Sequence, residues 1–285
     1  MGTLKIFGIT LLVSVLGLVA CDSFQKTIDV DLPTYESEMV VECYLRHNEP
    51  VRLLLSRSVP YFGEVTLPQV PDANVTITLR RGVFLSTWGL NFTVPTSLQP
   101  GEFFYNYQGT DRYDSTHRNG VYELRIEDRE TGEVLTGKTQ YIPAPKITAI
   151  EARFRESDTT AFLLTKFPDN DPNERNYYRL VVIKRLSKGA QKIVNDITFE
   201  GRFKTGNEIS IGSNYDFRDR DTAEVRLYHL SREYFDFLRT VDDARQGNLN
   251  PFAQPTVVQS NVQGGLGIFT VLAYDEQVFV VKYEK

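Results

Sequence analysis

Cys21 is the residue whose surroundings specify a reaction most clearly. It closes the run Leu18-Val19-Ala20-Cys21, which resembles the bacterial lipobox. In that chemistry the thiol receives a diacylglyceryl group, and a peptidase that needs a small residue at the Ala20 position then cuts in front of the cysteine. Upstream, Lys5 is the one charge ahead of an uncharged, largely apolar run from Ile6 to Ala20, 15 residues long. A helix that crosses a bilayer needs roughly 20 residues. A basic start, a short apolar run and small residues at its end instead describe a secretory leader. Residues 1–20 are therefore expected to be removed, with Ala20 and Cys21 on the two sides of the cut. Each buried methylene of an attached acyl chain contributes about 0.8 kcal/mol, so a lipidated Cys21 would hold the protein on a membrane without a spanning segment.

The other reactive residue types are dispersed. His47, His117, His229 and Cys43 show no close pair at zinc-ligand spacing, so no metal or cofactor is expected. Asp169-Asn170-Asp171-Pro172-Asn173 has the alternating oxygens of a calcium loop. Glu174 stands where that loop needs glycine and Leu180 where it needs the closing glutamate, so the segment reads as a polar turn. Gly264-Gly265-Leu266-Gly267 is followed by Ile268-Phe269-Thr270-Val271, which favours a strand over the helix that a phosphate loop requires. Those glycines are expected to serve a tight turn or bulge. Cys43 falls on the apolar face of a strand pattern, the usual place of a buried thiol. Asp219 and Asp221 are one acidic pair in a chain with 37 Asp and Glu, and no G-x-S-x-G elbow is present. These residues specify no catalysis, so binding is the expected role and a surface hydrolase the remote one.

Aromatic residues offer the clearest binding chemistry. Phe103, Phe104, Tyr105, Tyr107 and Tyr113 cluster among Asn106, Gln108 and Asp111. Exposed, they would form a partner or ligand surface and make the protein a cell-surface adhesin or glycan-binding module. The same spacing also fits a core strand with Phe103, Tyr105 and Tyr107 on one face.

The elements that must carry these residues read as strands. Val41, Cys43 and Leu45 alternate with Glu42 and Arg46, and Val51, Leu53 and Leu55 repeat the pattern. Ala73, Val75, Ile77 and Leu79 alternate with polar residues, as do Tyr122, Leu124 and Ile126. Pro143 and Pro145 interrupt the series, and strands resume at 147–154, 162–167, 177–185, 223–230, 267–274 and 277–283. One helix stands out at 231–246. Ser231 can cap it, Gly247 follows it, and Tyr234, Leu238 and Val241 form its apolar stripe. The expected fold is all-β, with two immunoglobulin-like or fibronectin-like antiparallel β-sandwich domains. These follow a lead-in at 21–36 and cover 37–143 and 144–285, the helix being inserted in the second.

Composition agrees with a folded protein of this kind. The 285 residues are 41% hydrophobic, and only two are cysteine, which excludes a disulfide-stapled mini-fold. A net charge of −5 provides no electrostatic reason for nucleic-acid binding.

Several short pieces, taken in order, resemble the DUF4249 lipoproteins of the Bacteroidota. They include Ile28-Asp29-Val30-Asp31-Leu32-Pro33, Leu55-Ser56-Arg57-Ser58-Val59-Pro60-Tyr61 and Asp72-Ala73-Asn74-Val75. Later come Asn176-Tyr177-Tyr178-Arg179, Phe199-Glu200-Gly201, Leu230-Ser231-Arg232-Glu233-Tyr234 and the Gly264 to Phe269 stretch. The resemblance implies a protein anchored at the outer membrane, on the cell surface or on the periplasmic face, and a TonB-dependent receptor as its partner. It carries over no catalytic residues.

Overall fold

A computed structural model describes residues 35–60, 66–94, 104–114, 119–155, 159–171, 173–201, 204–205, 208–248 and 256–283. The lipidation site at Ala20 and Cys21, and also Phe103 and His117, lie outside the described residues. Seven strands precede the proline pair: β1 Met39–Arg46, β2 Pro50–Arg57, β3 Ala73–Arg81, β4 Phe84–Phe92, β5 Tyr107–Arg112, β6 Val121–Asp128 and β7 Val134–Gln140. After it come β8 Ala149–Phe154, β9 Ala161–Pro168, β10 Tyr177–Arg185, β11 Gln191–Glu200, β12 Lys204–Thr205, β13 Glu208–Gly212 and β14 Thr222–Leu230. Helix α1, Arg232–Asn248, then leads to β15, Val262–Gln263, and β16, Leu266–Val280. The protein is all-β with one helix.

The alternation read from the residues is the alternation of burial. Met39, Val41, Cys43 and Leu45 are inside on β1 while Glu42, Tyr44 and Arg46 are half-exposed on its other face. With Val75, Ile77, Leu124, Ile126 and Phe269 they form the first core. A second core gathers Leu163, Phe167, Leu180, Val182, Val225 and Leu227. A third lies under α1, where Tyr234, Phe235 and Phe237 meet Tyr177, Ile268 and Leu272. With Leu238 and Val241, Phe235 and Phe237 widen the Tyr234 stripe into one apolar face at the 3.6-residue spacing of an amphipathic helix.

One sheet of twelve strands runs in the order β11-β10-β14-β16-β1-β2-β5-β4-β3-β6-β7-β15, and a second contains β12-β13-β9-β8. The large sheet crosses the proline pair because of β16. The two strands expected at 267–274 and 277–283 are one strand of 15 residues. Its first part pairs with β1, from Val40 opposite Leu266 to Arg46 opposite Leu272, and its second with β14, from His229 opposite Ala273 to Thr222 opposite Val280. The β1 pairing is parallel, where antiparallel strands alone were expected. β1 and β16 are the first and last described strands, so the whole of the intervening chain closes this parallel pair, while α1 lies between β16 and its antiparallel neighbour β14. Gly267 to Ala273 are buried on both faces, which accounts for their unbroken apolar run.

The glycine cluster is structural, as its context implied. Gly264 and Gly267 have φ of +80° and +125°, so the backbone itself requires glycine there. A Cβ at Gly267 would stand 1.8 Å from the Val41 carbonyl oxygen. Two asparagines, Asn106 buried and Asn261 half-buried, take the place of missing strand partners. Asn106 accepts from Leu55 N (2.8 Å) and donates to Leu55 O (2.7 Å). Asn261 does the same for Phe269, at 2.8 and 2.7 Å.

Candidate functional site

Period-2 geometry creates the candidate site as a by-product of the cores. With Val41, Cys43 and Leu45 turned inward, Glu42 and Tyr44 must face the other side of the sheet. On β10, Leu180 and Val182 enter the second core, so Arg179, Val181 and Ile183 share that outer face. Helix α1 forms one wall. Ser231 Oγ accepts from Tyr234 N at 3.2 Å and caps the helix as expected, with Glu233 in the first turn and Arg245 in the last. The result is a groove in two lobes of about 800 and 690 Å³, each lined by Glu42, Tyr44, Arg179, Asp196 and Tyr234.

Arg179 organises the groove. Its Nε and Nη2 donate to the two carboxylate oxygens of Asp196, both at 2.7 Å, in the planar fork that makes such pairs directional. Nη1 donates to Tyr234 Oη at 3.4 Å, and the guanidinium lies 6.0 Å from the Tyr228 ring centroid. Tyr44 Oη donates to Glu42 at 3.1 Å, and the Tyr44 and Tyr234 rings are 5.8 Å apart. Burial would lower the Arg179 pKa, but the bonds and charge of Asp196 together with the Tyr234 and Tyr228 phenols outweigh it and hold the guanidinium above its usual range. Burial also pushes the Tyr234 phenol up to about 12, and burial, Tyr234 and Glu42 together push Tyr44 well above its usual 10.0. Both phenols keep their protons at neutral pH, so they donate hydrogen bonds and do not act as bases. The described lining contains no Ser, Cys or His.

The aromatic cluster does not form the exposed platform considered for it. Tyr107 is fully buried and Tyr113 is 2% exposed. Tyr107 Oη donates to Val70 O at 2.5 Å and accepts from Ala73 N at 3.1 Å, tying β5 to the loop before β3. Tyr113 packs edge-on to Tyr122, the ring centroids 5.3 Å apart. Tyr105 is half-buried with the Arg52 guanidinium 4.6 Å above its ring, and Phe104 is exposed. The cluster is divided because the chain turns inward at Asn106 and Tyr107, both buried, while Phe104 stays exposed. Tyr107→Ala is accordingly expected to cost about 3–5 kcal/mol in urea denaturation. Phe104→Ala is expected to stay within about 0.5 kcal/mol.

The other reactive groups are structural where they are described. Cys43 is fully buried, which raises its thiol pKa and leaves it inert. Asp169 accepts from Asn176 and from Tyr178 Oη, each at 2.8 Å, and so stitches the polar turn to β10. His229 donates from Nδ1 to Pro143 O at 2.9 Å, fastening the proline pair to β14. Asp221 pairs with Lys184 and Asp219 accepts from Tyr283 N, so the two carboxylates serve separate contacts. Among the described residues, no three His, Cys, Asp or Glu side chains could hold a metal ion together. No described helix is long and apolar enough to cross a membrane.

Sequence reasoning missed Arg179, Asp196 and Tyr228. A charge in the middle of the apolar strand 177–185 was the available signal, since a central strand carries one only where it has a partner.

Fold and groove define an all-β protein with a cleft on the outer face of its large sheet. The family described as "Domain of unknown function (DUF4249)" matches residues 25–278, and the chain belongs to it. No curated protein matches the chain.

Proposed function

We propose that this chain is a lipid-anchored binding protein of the bacterial outer membrane, displayed at the cell surface, that works without catalysis as an accessory to a TonB-dependent transporter. The groove beside α1 is the observation that carries the binding role. Its polar side chains are already fixed on one another, Arg179 on Asp196 and Tyr44 on Glu42, so a ligand meets an ordered surface and little freedom is lost on binding. Membrane attachment rests on Leu18-Val19-Ala20-Cys21, and the transporter partner on the family resemblance. Under this reading residues 37–143 and 144–285 act as two modules joined through the shared strand β16.

The test is purification of the tagged full chain from detergent-solubilised outer membranes. Stable enrichment of one barrel protein is the expected result. Recovery of the chain alone removes the accessory role. Replacing Cys21 by Ala should release the protein from the membrane fraction, and retention would remove the anchor.

A further inference from the structure

The groove's own chemistry narrows what it holds, and the inference rests on the binding role proposed above. We infer that the groove takes a neutral oligosaccharide. Its two lobes meet at Tyr44, Arg179 and Asp196, and together they offer an elongated site larger than a single sugar needs. The five arginines and four carboxylates of the lining nearly cancel. Where the two lobes meet and in the second lobe, the charges are already paired, Arg179 with Asp196 and Arg226 with Glu276 at 2.8 Å, while Arg239 and Arg245 stand on the α1 wall of the first lobe. A charged group seated at the junction would have to break such a pair. A hydroxyl would not, because it both donates and accepts. Each oxygen of Asp196 holds one bond from Arg179 and has lone pairs left for sugar hydroxyls. The half-buried Tyr44 and Tyr228 supply aromatic surface for the C–H faces of pyranose rings, and Val181 and Ile183 line the second lobe as apolar floor.

An extended peptide is the competing occupant, and the strand beside the groove is poorly suited to it. β11 is the edge of the large sheet, where an added strand would pair. Its register jumps from Asn195 to Ile193, so Val194 is bulged out, and the Val194 carbonyl already accepts from Asn214 Nδ2 at 3.0 Å. A bulge with its carbonyl occupied interrupts the ladder that strand addition needs.

The experiment is calorimetric titration of the full lipidated chain, in detergent micelles, with neutral hexasaccharides of glucose, mannose and xylose and with a neutral extended peptide of matching length. At least one sugar should bind. Asp196→Asn and Tyr228→Ala should each weaken it by about ten-fold or more, roughly 1.4 kcal/mol, in chains whose thermal transitions show them still folded at the titration temperature. Phe104→Ala should leave the affinity intact. Absence of heat from every sugar up to about 10 mM overturns the inference. So does equal affinity in Asp196→Asn, or binding of the peptide in place of the sugars. Loss of the sugar with the transporter still co-purifying removes this inference alone. Sugar binding by a chain that purifies without any barrel removes only the accessory role.

Discussion

Gly267→Ala is expected to destabilise the protein by at least about 4 kcal/mol, enough to leave much of it unfolded at 37 °C. Two effects act together. The residue's φ of +125° lies where L side chains rarely go, a strain of roughly 1–3 kcal/mol. The larger effect is the added methyl, which would be placed 1.8 Å from the Val41 carbonyl oxygen and within 3 Å of Val41 C and N. Those are backbone atoms of the neighbouring strand, so no side-chain rotation relieves the overlap. β1 and β16 would have to separate, and with them the strand that joins the two halves of the large sheet. Gly82 is the matched control. Its φ is +57° and its Cβ position has nothing within 4 Å, so Gly82→Ala carries the conformational strain alone, about 1–2 kcal/mol. Urea denaturation of the two variants separates close approach from strain. Equal losses would refute the tight β1–β16 contact.

Asn106→Ala is expected to cost about 2–4 kcal/mol. The side chain is 1% exposed and acts as a substitute strand for Leu55, holding both its N–H and its C=O. Alanine leaves both groups buried without a partner, and each such loss costs about 1–3 kcal/mol. Asn106→Asp should do no better, because the carboxylate would turn an acceptor toward the Leu55 carbonyl and bury a charge. Hydrogen exchange at the Leu55 amide gives the residue-level readout. Its protection should fall in Asn106→Ala more than that of amides in the second core, and an unchanged Leu55 rate would contradict the bond.

The same two sites show how far residues alone can be read. Alternation at Val41-Cys43-Leu45 and at Val75-Ile77-Leu79 identified both the strands and their buried faces, because a strand with one wet face records its environment every second residue. The α1 start was equally legible, since Ser231 satisfies Tyr234 N within a single turn. The context of Gly264 to Gly267 excluded a phosphate loop for a local reason as well. Asn106 and Asn261 were not legible, because each replaces a partner far away in the chain or in the next strand.

The groove failed to show for a related reason. Arg179 and Asp196 are 17 residues apart and meet only because β10 and β11 pair in one register, with Val181 opposite Asp196. Tyr234 joins them from a helix, and Glu42 and Tyr44 come from a strand more than a hundred residues earlier. Local pattern also left Tyr107 and Tyr113 undecided between core and surface, since an aromatic run looks the same whether a core or a partner covers it.

The sequence by itself therefore determined the all-β class, the capped helix and the glycines that permit close approach. All of these rest on contacts within a few residues or on a short period. Only the tertiary structure decided which strands are neighbours, that β16 serves both halves, and that the outer face of their shared sheet is a groove. Strand pairing and burial on a second face are contacts between distant segments, and no local period encodes the distance they span.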